Sequence, residues 1–151
     1  MTFGTTMEAV ALACAQVEEL RQWVRQHCGI HSGTGDRWLP VVLTARGPLY
    51  GEVIGRTAAG HYVQPVATTD AQKQPLYGLA RHVLDHLAAP PAVYLFQVAF
   101  GDPTLTFDRL IPFPDHPAIA SVGVQEPDLF RCHWLCLTGN PIRDLIIHQT
   151  S

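Results

Sequence analysis

The feature that most constrains the fold of this chain is a strongly apolar segment at positions 92–100, bounded on both sides by residues that interrupt secondary structure. It reads AVYLFQVAF and lies between Pro90-Pro91 and Gly101-Asp102-Pro103. A run of this length between such signals predicts a β-strand. Residues 104–111 then alternate, with Leu105, Phe107 and Ile111 expected on one side. The two segments therefore predict a β-hairpin.

Three more extended segments precede this hairpin, at about 38–45, 49–55 and 61–67. The residues that separate them, Arg46-Gly47-Pro48 and Thr57-Ala58-Ala59-Gly60, are typical of turns. Short separators favour antiparallel neighbours, so the segments predict a three-stranded meander.

Two helices are predicted from the spacing of apolar residues. The first spans 6–28, begins at a capping box of Thr5 and Glu8, and ends at Gly29. Its apolar residues recur at helical spacing: Val10, Cys14, Val17, Leu20 and Val24. The second spans about 75–88, with Pro75 in its first turn.

The last third of the chain is open to two interpretations. Residues 128–137 alternate apolar and polar side chains, which favours a strand, but Asp128 could equally cap a helix. We favour the strand, because residues 138–141 resemble a turn into a final strand at 144–148. The whole order predicts one α+β domain over residues 1–151: an N-terminal helix, an antiparallel meander, a helix packed on the sheet, a further hairpin and a β-rich C-terminal tail.

Composition argues against two classes of partner. The net charge is −3, and the only lysine is Lys73, with no run of basic residues to neutralise the phosphates of a nucleic acid. No apolar run approaches the roughly 20 residues of a membrane span, and no export signal is recognisable at the N-terminus. We therefore expect a cytoplasmic protein whose four cysteines are free thiols.

The clearest metal-site motif is His82-Val83-Leu84-Asp85-His86 in the second predicted helix. Residues four apart share a helix face, so both imidazoles could reach one ion. The motif is similar to the H-x-x-E-H of inverted zinc peptidases, with Asp85 in place of the glutamate. The alternative is an exposed polar helix face. We favour that alternative, and no cofactor is predicted.

Two other segments are candidate sites. Cys132-His133-Trp134-Leu135-Cys136 could hold zinc, although a strand would separate the thiols by about 13 Å, at roughly 3.3 Å per residue. We therefore expect buried structural cysteines. The proline-rich loop 112–117 could instead display Phe113, Asp115 and His116 to a partner.

No motif identifies a family or a set of catalytic residues. The predicted element order over about residues 6–111 is similar to that of the small acidic chaperones of bacterial secretion systems. That resemblance implies an α+β homodimer that binds extended protein segments. The first hypothesis is therefore a non-enzymatic protein-binding module, such as an assembly factor, adaptor or chaperone. The alternatives are a small metal-dependent hydrolase using His82 and His86, and a sensor domain for a small molecule.

Overall fold

The computed structural model describes residues 6–101 and 104–148. The α-helices are α1 (Met7–Ala15), α2 (Val17–Cys28), α3 (Asp70–His86) and α4 (Leu129–Leu137), and a 3-10 helix spans His116–Ser121. The strands are β1 (Arg37–Thr44), β2 (Gly47–Tyr50), β3 (Ile54–Arg56), β4 (Tyr62–Val63), β5 (Ala92–Phe100), β6 (Leu105–Ile111), β7 (Gln125–Glu126) and β8 (Ile146–Ile147).

One antiparallel sheet organises the fold, with strand order β4-β3-β1-β5-β6 and with β2 paired to β1 beside β3. The predicted α+β class with an antiparallel sheet is confirmed. The apolar segment 92–100 forms β5 with the predicted bounds and lies between β1 and β6. A strand with neighbours on both edges and cover on both faces is mostly apolar, because little of it meets water.

The sheet is covered on both faces, and alternate residues of β5 point to opposite sides. Tyr94, Phe96 and Val98 join the core beneath the first three helices. Val93 and Leu95 join a second core beneath the 3-10 helix and α4. We expected a β-rich tail after the hairpin. The structure has mainly helices there, and they cover the second face of the sheet.

The predicted first helix, 6–28, is two helices joined at Gln16, whose ψ of 68° leaves the helical region. Thr6 caps α1 by accepting a hydrogen bond from the backbone N–H of Ala9 at 3.1 Å. The predicted cap residue Thr5 lies outside the described residues. The apolar stripe is buried at four of its five positions, and Val17 is the half-buried exception beside the break.

The second predicted helix begins five residues earlier than expected. Thr69 caps α3 in a reciprocal capping box with Gln72, so Pro75 lies inside the helix and not in its first turn. The predicted strand 49–55 is also divided, because Gly51 to Val53 separate β2 from β3. The predicted strand 61–67 is reduced to Tyr62–Val63.

The strand predicted at 128–137 is wrong, and the helical alternative is correct. The Asp128 side chain accepts a hydrogen bond from the Arg131 N–H at 2.9 Å, which caps α4. Leu129, Cys132 and Cys136 are buried at helical spacing. The final strand exists only as Ile146–Ile147, paired with Gln125–Glu126 in a separate two-stranded sheet.

A β-bulge interrupts the pairing of β5 and β6. Gln97 pairs with Arg109 and Val98 pairs with Phe107, so Asp108 has no partner residue across the ladder. An extra residue in one strand exchanges the faces of the side chains beyond it. Ile111 accordingly packs in the second core, not on the side of Phe107 as the alternation predicts.

Across the described residues, none of the helices combines the length and the apolar character that crossing a membrane requires.

Candidate functional site

The carboxylate of the bulge residue Asp108 accepts three hydrogen bonds. Its Oδ1 accepts from Arg21 Nη2 at 2.8 Å and from Arg109 Nε at 3.1 Å, and its Oδ2 accepts from the Gly35 N–H at 2.8 Å. The side chain is only 3% exposed. The Arg21 Nε also donates to the Asp108 carbonyl at 2.8 Å. A buried carboxylate is stable when its oxygens are occupied in this way.

The Asp108 network fixes the wall of a shallow groove beside edge strand β6. The groove has a volume of about 380 Å³. It lies between α1 and the end of β6, with these lining residues: Ala11, Cys14, Ala15, Gln97, Arg109, Leu110, Ile111, Pro112, Phe113 and Asp115. We call it the α1–β6 groove.

Arg109 and Phe113 give the α1–β6 groove its binding chemistry. The Arg109 side chain is 48% exposed and uses Nε for Asp108, and its terminal nitrogens have no protein partner in the described part of the chain. Phe113 is 47% exposed. The groove therefore combines an oriented cation with an accessible aromatic surface.

The proline-rich loop predicted as a display site lies at one end of the α1–β6 groove. Of its three candidate residues, Phe113 and Asp115 line the groove, whereas His116 begins the 3-10 helix and is exposed. The Asp115 N–H donates to the Phe113 carbonyl at 3.0 Å, and the Asp115 carbonyl accepts from the Ala118 N–H at 2.8 Å. These two hydrogen bonds connect the loop backbone to the start of the 3-10 helix.

The candidate metal residues His82 and His86 are both exposed on α3. The His86 ring stacks on Trp23 with a centroid distance of 4.0 Å, and the other neighbour of Trp23 is His27 at 4.8 Å. Burial, and then the proximity of His27, lower the pKa of His86. Within residues 6–101 and 104–148, no three His, Cys, Asp or Glu side chains cluster closely enough to hold a metal ion.

The second candidate segment, 132–136, is part of the core. Burial raises the pKa of the Cys132 thiol to about 12 and that of the Cys136 thiol to about 11. His133 Nδ1 accepts from the Val93 N–H at 3.1 Å, and burial lowers the pKa of His133. The imidazole is therefore a neutral acceptor that joins α4 to β5.

Sequence reasoning missed Arg109, Asp108 and Arg21. The available signal was the adjacent pair Asp108-Arg109 within an otherwise alternating apolar strand, a pattern that fits a bulge. Arg21 could not be assigned from sequence, because its partner is 87 residues away. Cys14 was correctly placed in the core, and burial raises the pKa of its thiol to about 11.

No protein-family model matches the sequence, and no curated protein matches it.

Solved structures match the fold. Glycinamide-RNase-transformylase T from Mycobacterium tuberculosis matches with a TM-score of 0.72 and 18% identity, over 87% of this chain and 51% of that one. N5-carboxyaminoimidazole ribonucleotide synthetase from Thermotoga maritima matches with a TM-score of 0.62 and 10% identity, over 74% of this chain and 31% of that one. N5-carboxyaminoimidazole synthetase from Staphylococcus aureus, complexed with ADP, matches with a TM-score of 0.63 and 12% identity, over 77% of this chain and 33% of that one.

The chain thus spans about half the length of the first enzyme and about a third of the other two. At these identities the likeness establishes the fold. The expected non-enzymatic protein-binding function is contradicted, because the three matching structures named above are enzymes. The alternatives of a His82/His86 hydrolase and of a sensor domain are contradicted as well, because these structures are a transformylase and two synthetases.

Proposed function

We propose that this chain is an ATP-grasp-related domain that binds an adenine nucleotide in the α1–β6 groove and works as one part of a synthetase- or transformylase-type enzyme. The observation that carries the proposal is the shared fold, which extends over 87% of this chain in the transformylase match. The Staphylococcus aureus synthetase of the same fold binds ADP.

The residues of the α1–β6 groove fit part of a nucleotide. Arg109 presents guanidinium N–H groups that suit a phosphate, which accepts paired hydrogen bonds from arginine. Phe113 offers a surface on which an adenine ring can stack. The volume of about 380 Å³ is within the range of about 300–1,000 Å³ that small-molecule sites occupy.

The nucleotide, when bound, supplies a phosphoryl group. The groove residues bind and orient the nucleotide. Asp108 holds the Arg109 side chain through Nε, which leaves the terminal nitrogens of Arg109 for the ligand. Three donors occupy both Asp108 oxygens, so this carboxylate does not fit the role of a metal ligand. We propose that the side chains that carry out the reaction belong to a further polypeptide segment.

Isothermal titration of the purified chain with ADP tests the nucleotide proposal. We expect one site, weakened at least about tenfold in Arg109→Gln, because a charge-assisted hydrogen bond contributes about 1.5–3 kcal/mol. Phe113→Ala should weaken binding by a smaller factor, through the loss of stacking. Arg131→Gln and Ile119→Ala are controls, since both residues are exposed and neither lines the groove.

ADP binding that is unchanged in both groove variants would place the nucleotide elsewhere. No ADP binding by the native chain would remove the nucleotide from the proposal.

Three expectations from sequence stay as proposals: a single domain over 1–151, a cytoplasmic location and a homodimer. The surface that we propose for the dimer is an exposed apolar stripe on α4, formed by Phe130, Trp134 and Leu137. The opposite side of α4 is buried in the second core. A helix that is apolar on both sides is typical of one that is covered on both sides.

A further inference from the structure

A second and larger cavity lies apart from the α1–β6 groove, and the two share no lining residue. It has a volume of about 620 Å³ and opens between the β1–β2 turn and the segment that follows α4. It is lined by Thr44, Ala45, Arg46, Gly47, Pro48, Leu49, Pro91, Cys136, Gly139, Asn140, Pro141, Ile142 and Arg143. We call it the arginine cavity.

The charge of the arginine cavity is opposite to that of the chain. The protein carries 13 acidic and 10 basic side chains, yet two arginines and no acidic residue line this cavity. Neither the Arg46 nor the Arg143 guanidinium has a hydrogen-bond or ion-pair partner among residues 6–101 and 104–148. Asp144, next in sequence to Arg143, is not a lining residue, and its Oδ1 accepts from the Leu145 N–H at 2.9 Å.

Both walls of the arginine cavity have ordered backbones. The Arg46 N–H donates to Thr44 Oγ1 at 3.1 Å, and that hydroxyl donates to the Gly47 carbonyl at 2.8 Å. Gly47 has a φ of 126°, which residues with a side chain rarely adopt. On the other wall, the Asn140 N–H donates to the Leu135 carbonyl at 2.8 Å. Arg46 therefore extends from a backbone position that hydrogen bonds fix.

The remaining lining of the arginine cavity is largely apolar and uncharged. Leu49 and Ile142 pack against the second core, and Pro48 and Pro91 add ring surface. Burial raises the pKa of the Cys136 thiol to about 11, so this side chain contributes no negative charge near neutral pH. A ligand that fills the cavity would meet apolar surface as well as the two guanidinium groups.

We propose that the arginine cavity binds a small molecule that carries a phosphate monoester on an apolar or ring-shaped body. Two arginines without acidic partners suit a doubly charged oxyanion, which accepts hydrogen bonds from both. A volume of about 620 Å³ exceeds the needs of a free phosphate and is within the range of small-molecule sites. This inference is independent of nucleotide binding in the α1–β6 groove.

Calorimetric titration with phenyl phosphate, inorganic phosphate, benzoate and phenol tests this proposal on the native chain. We expect phenyl phosphate to bind at one site with a Kd below about 1 mM and more tightly than the other three probes. Arg46→Gln and Arg143→Gln should each weaken it about tenfold or more, because each removes a charge-assisted hydrogen bond. Arg131→Gln, which changes an exposed arginine that does not line the cavity, should leave the Kd within about twofold.

Both arginines are exposed, so the variants should fold, and an unchanged Tm confirms it. No binding of phenyl phosphate, equal loss of binding in Arg131→Gln, or no loss in either cavity variant would overturn the proposal. Tighter binding of benzoate would overturn the phosphate assignment. ADP affinity should be unchanged in Arg46→Gln, and a loss there would mean that the nucleotide site and this site are the same.

Discussion

Arg21 on α2 and Asp108 on β6 form a bidentate contact through two 2.8 Å hydrogen bonds, one to the carboxylate and one to the carbonyl of Asp108. The contact joins the helical layer to the edge strand at the β-bulge. Because Arg109 binds the same carboxylate, the packing of α2 also determines the position of the arginine in the α1–β6 groove.

Asp108→Ala should destabilise the protein strongly. It leaves Arg21 Nη2 and the Gly35 N–H without their acceptor, and breaking a buried charge pair typically costs about 3–5 kcal/mol. Asp36→Ala is the control, because Asp36 pairs with Arg37 at 3.3 Å on the surface and such pairs contribute about 0–1 kcal/mol. Urea unfolding measures both, and equal midpoints for the two variants would contradict the structural role of Asp108.

Two glycine substitutions should have effects of opposite sign. A Cβ at Gly35 would lie 2.6 Å from the Val98 carbonyl oxygen, so Gly35→Ala must displace backbone, at about 1–3 kcal/mol. A Cβ at Gly78 in α3 would meet nothing within 4 Å, so Gly78→Ala should stabilise the protein by about 0.5–1 kcal/mol. The Tm of each variant, measured by thermal unfolding, tests both expectations. A Tm for Gly35→Ala at or above the native value would contradict the close approach of Gly35 to the Val98 backbone.

Stability should fall as the pH is lowered from 7 to 5. The pKa values of His133 and His86 are lowered in the folded protein, so below the ordinary value of about 6.5 the unfolded chain binds more protons. The contribution of these two histidines to the free energy of unfolding is fully present above a pH of about 6.5 and decreases below it. Unfolding midpoints measured across this range should decline less in His133→Gln than in the native protein. A decline of the same size would show that His133 does not contribute.

The dimer proposal predicts a mass near twice 16.6 kDa by light scattering at micromolar concentration. Trp134 is 65% exposed on the α4 stripe, and Trp134→Ser should shift the population to the monomer. Leu12 on α1 is 64% exposed, so Leu12→Ser is a control of matched exposure that should leave the mass unchanged. A mass near 16.6 kDa at every concentration would refute the dimer.

The sheet was largely predictable because its signals are local. The apolar run of β5 and the turns around it can be recognised without tertiary information, and β5 has the predicted bounds. At 128–137 the local signal was ambiguous, because Leu129, Cys132 and Cys136 suit a helix while alternate residues suit a strand. The Asp128 cap and burial against the sheet decide for the helix.

The groove was only partly predictable from sequence. The sequence pointed to the 112–117 loop as a candidate site, and two of its three candidate residues, Phe113 and Asp115, line the groove. Arg109 was not identified, because its orientation depends on the bulge and on a long-range contact with α2. The orientation of Arg109 is set when distant segments pack together. The alternation of apolar and polar residues within one strand carries no information about it.

Amide chemical-shift mapping of the native chain during an ADP titration locates the nucleotide site. If ADP binds in the α1–β6 groove, the largest shifts fall at Ala11–Ala15 of α1 and at Arg109–Asp115, which border the groove. Shifts confined to Thr44–Gly47 and to the segment after α4 would assign the nucleotide to the arginine cavity and contradict the claim. An unchanged spectrum at saturating ADP would contradict nucleotide binding altogether.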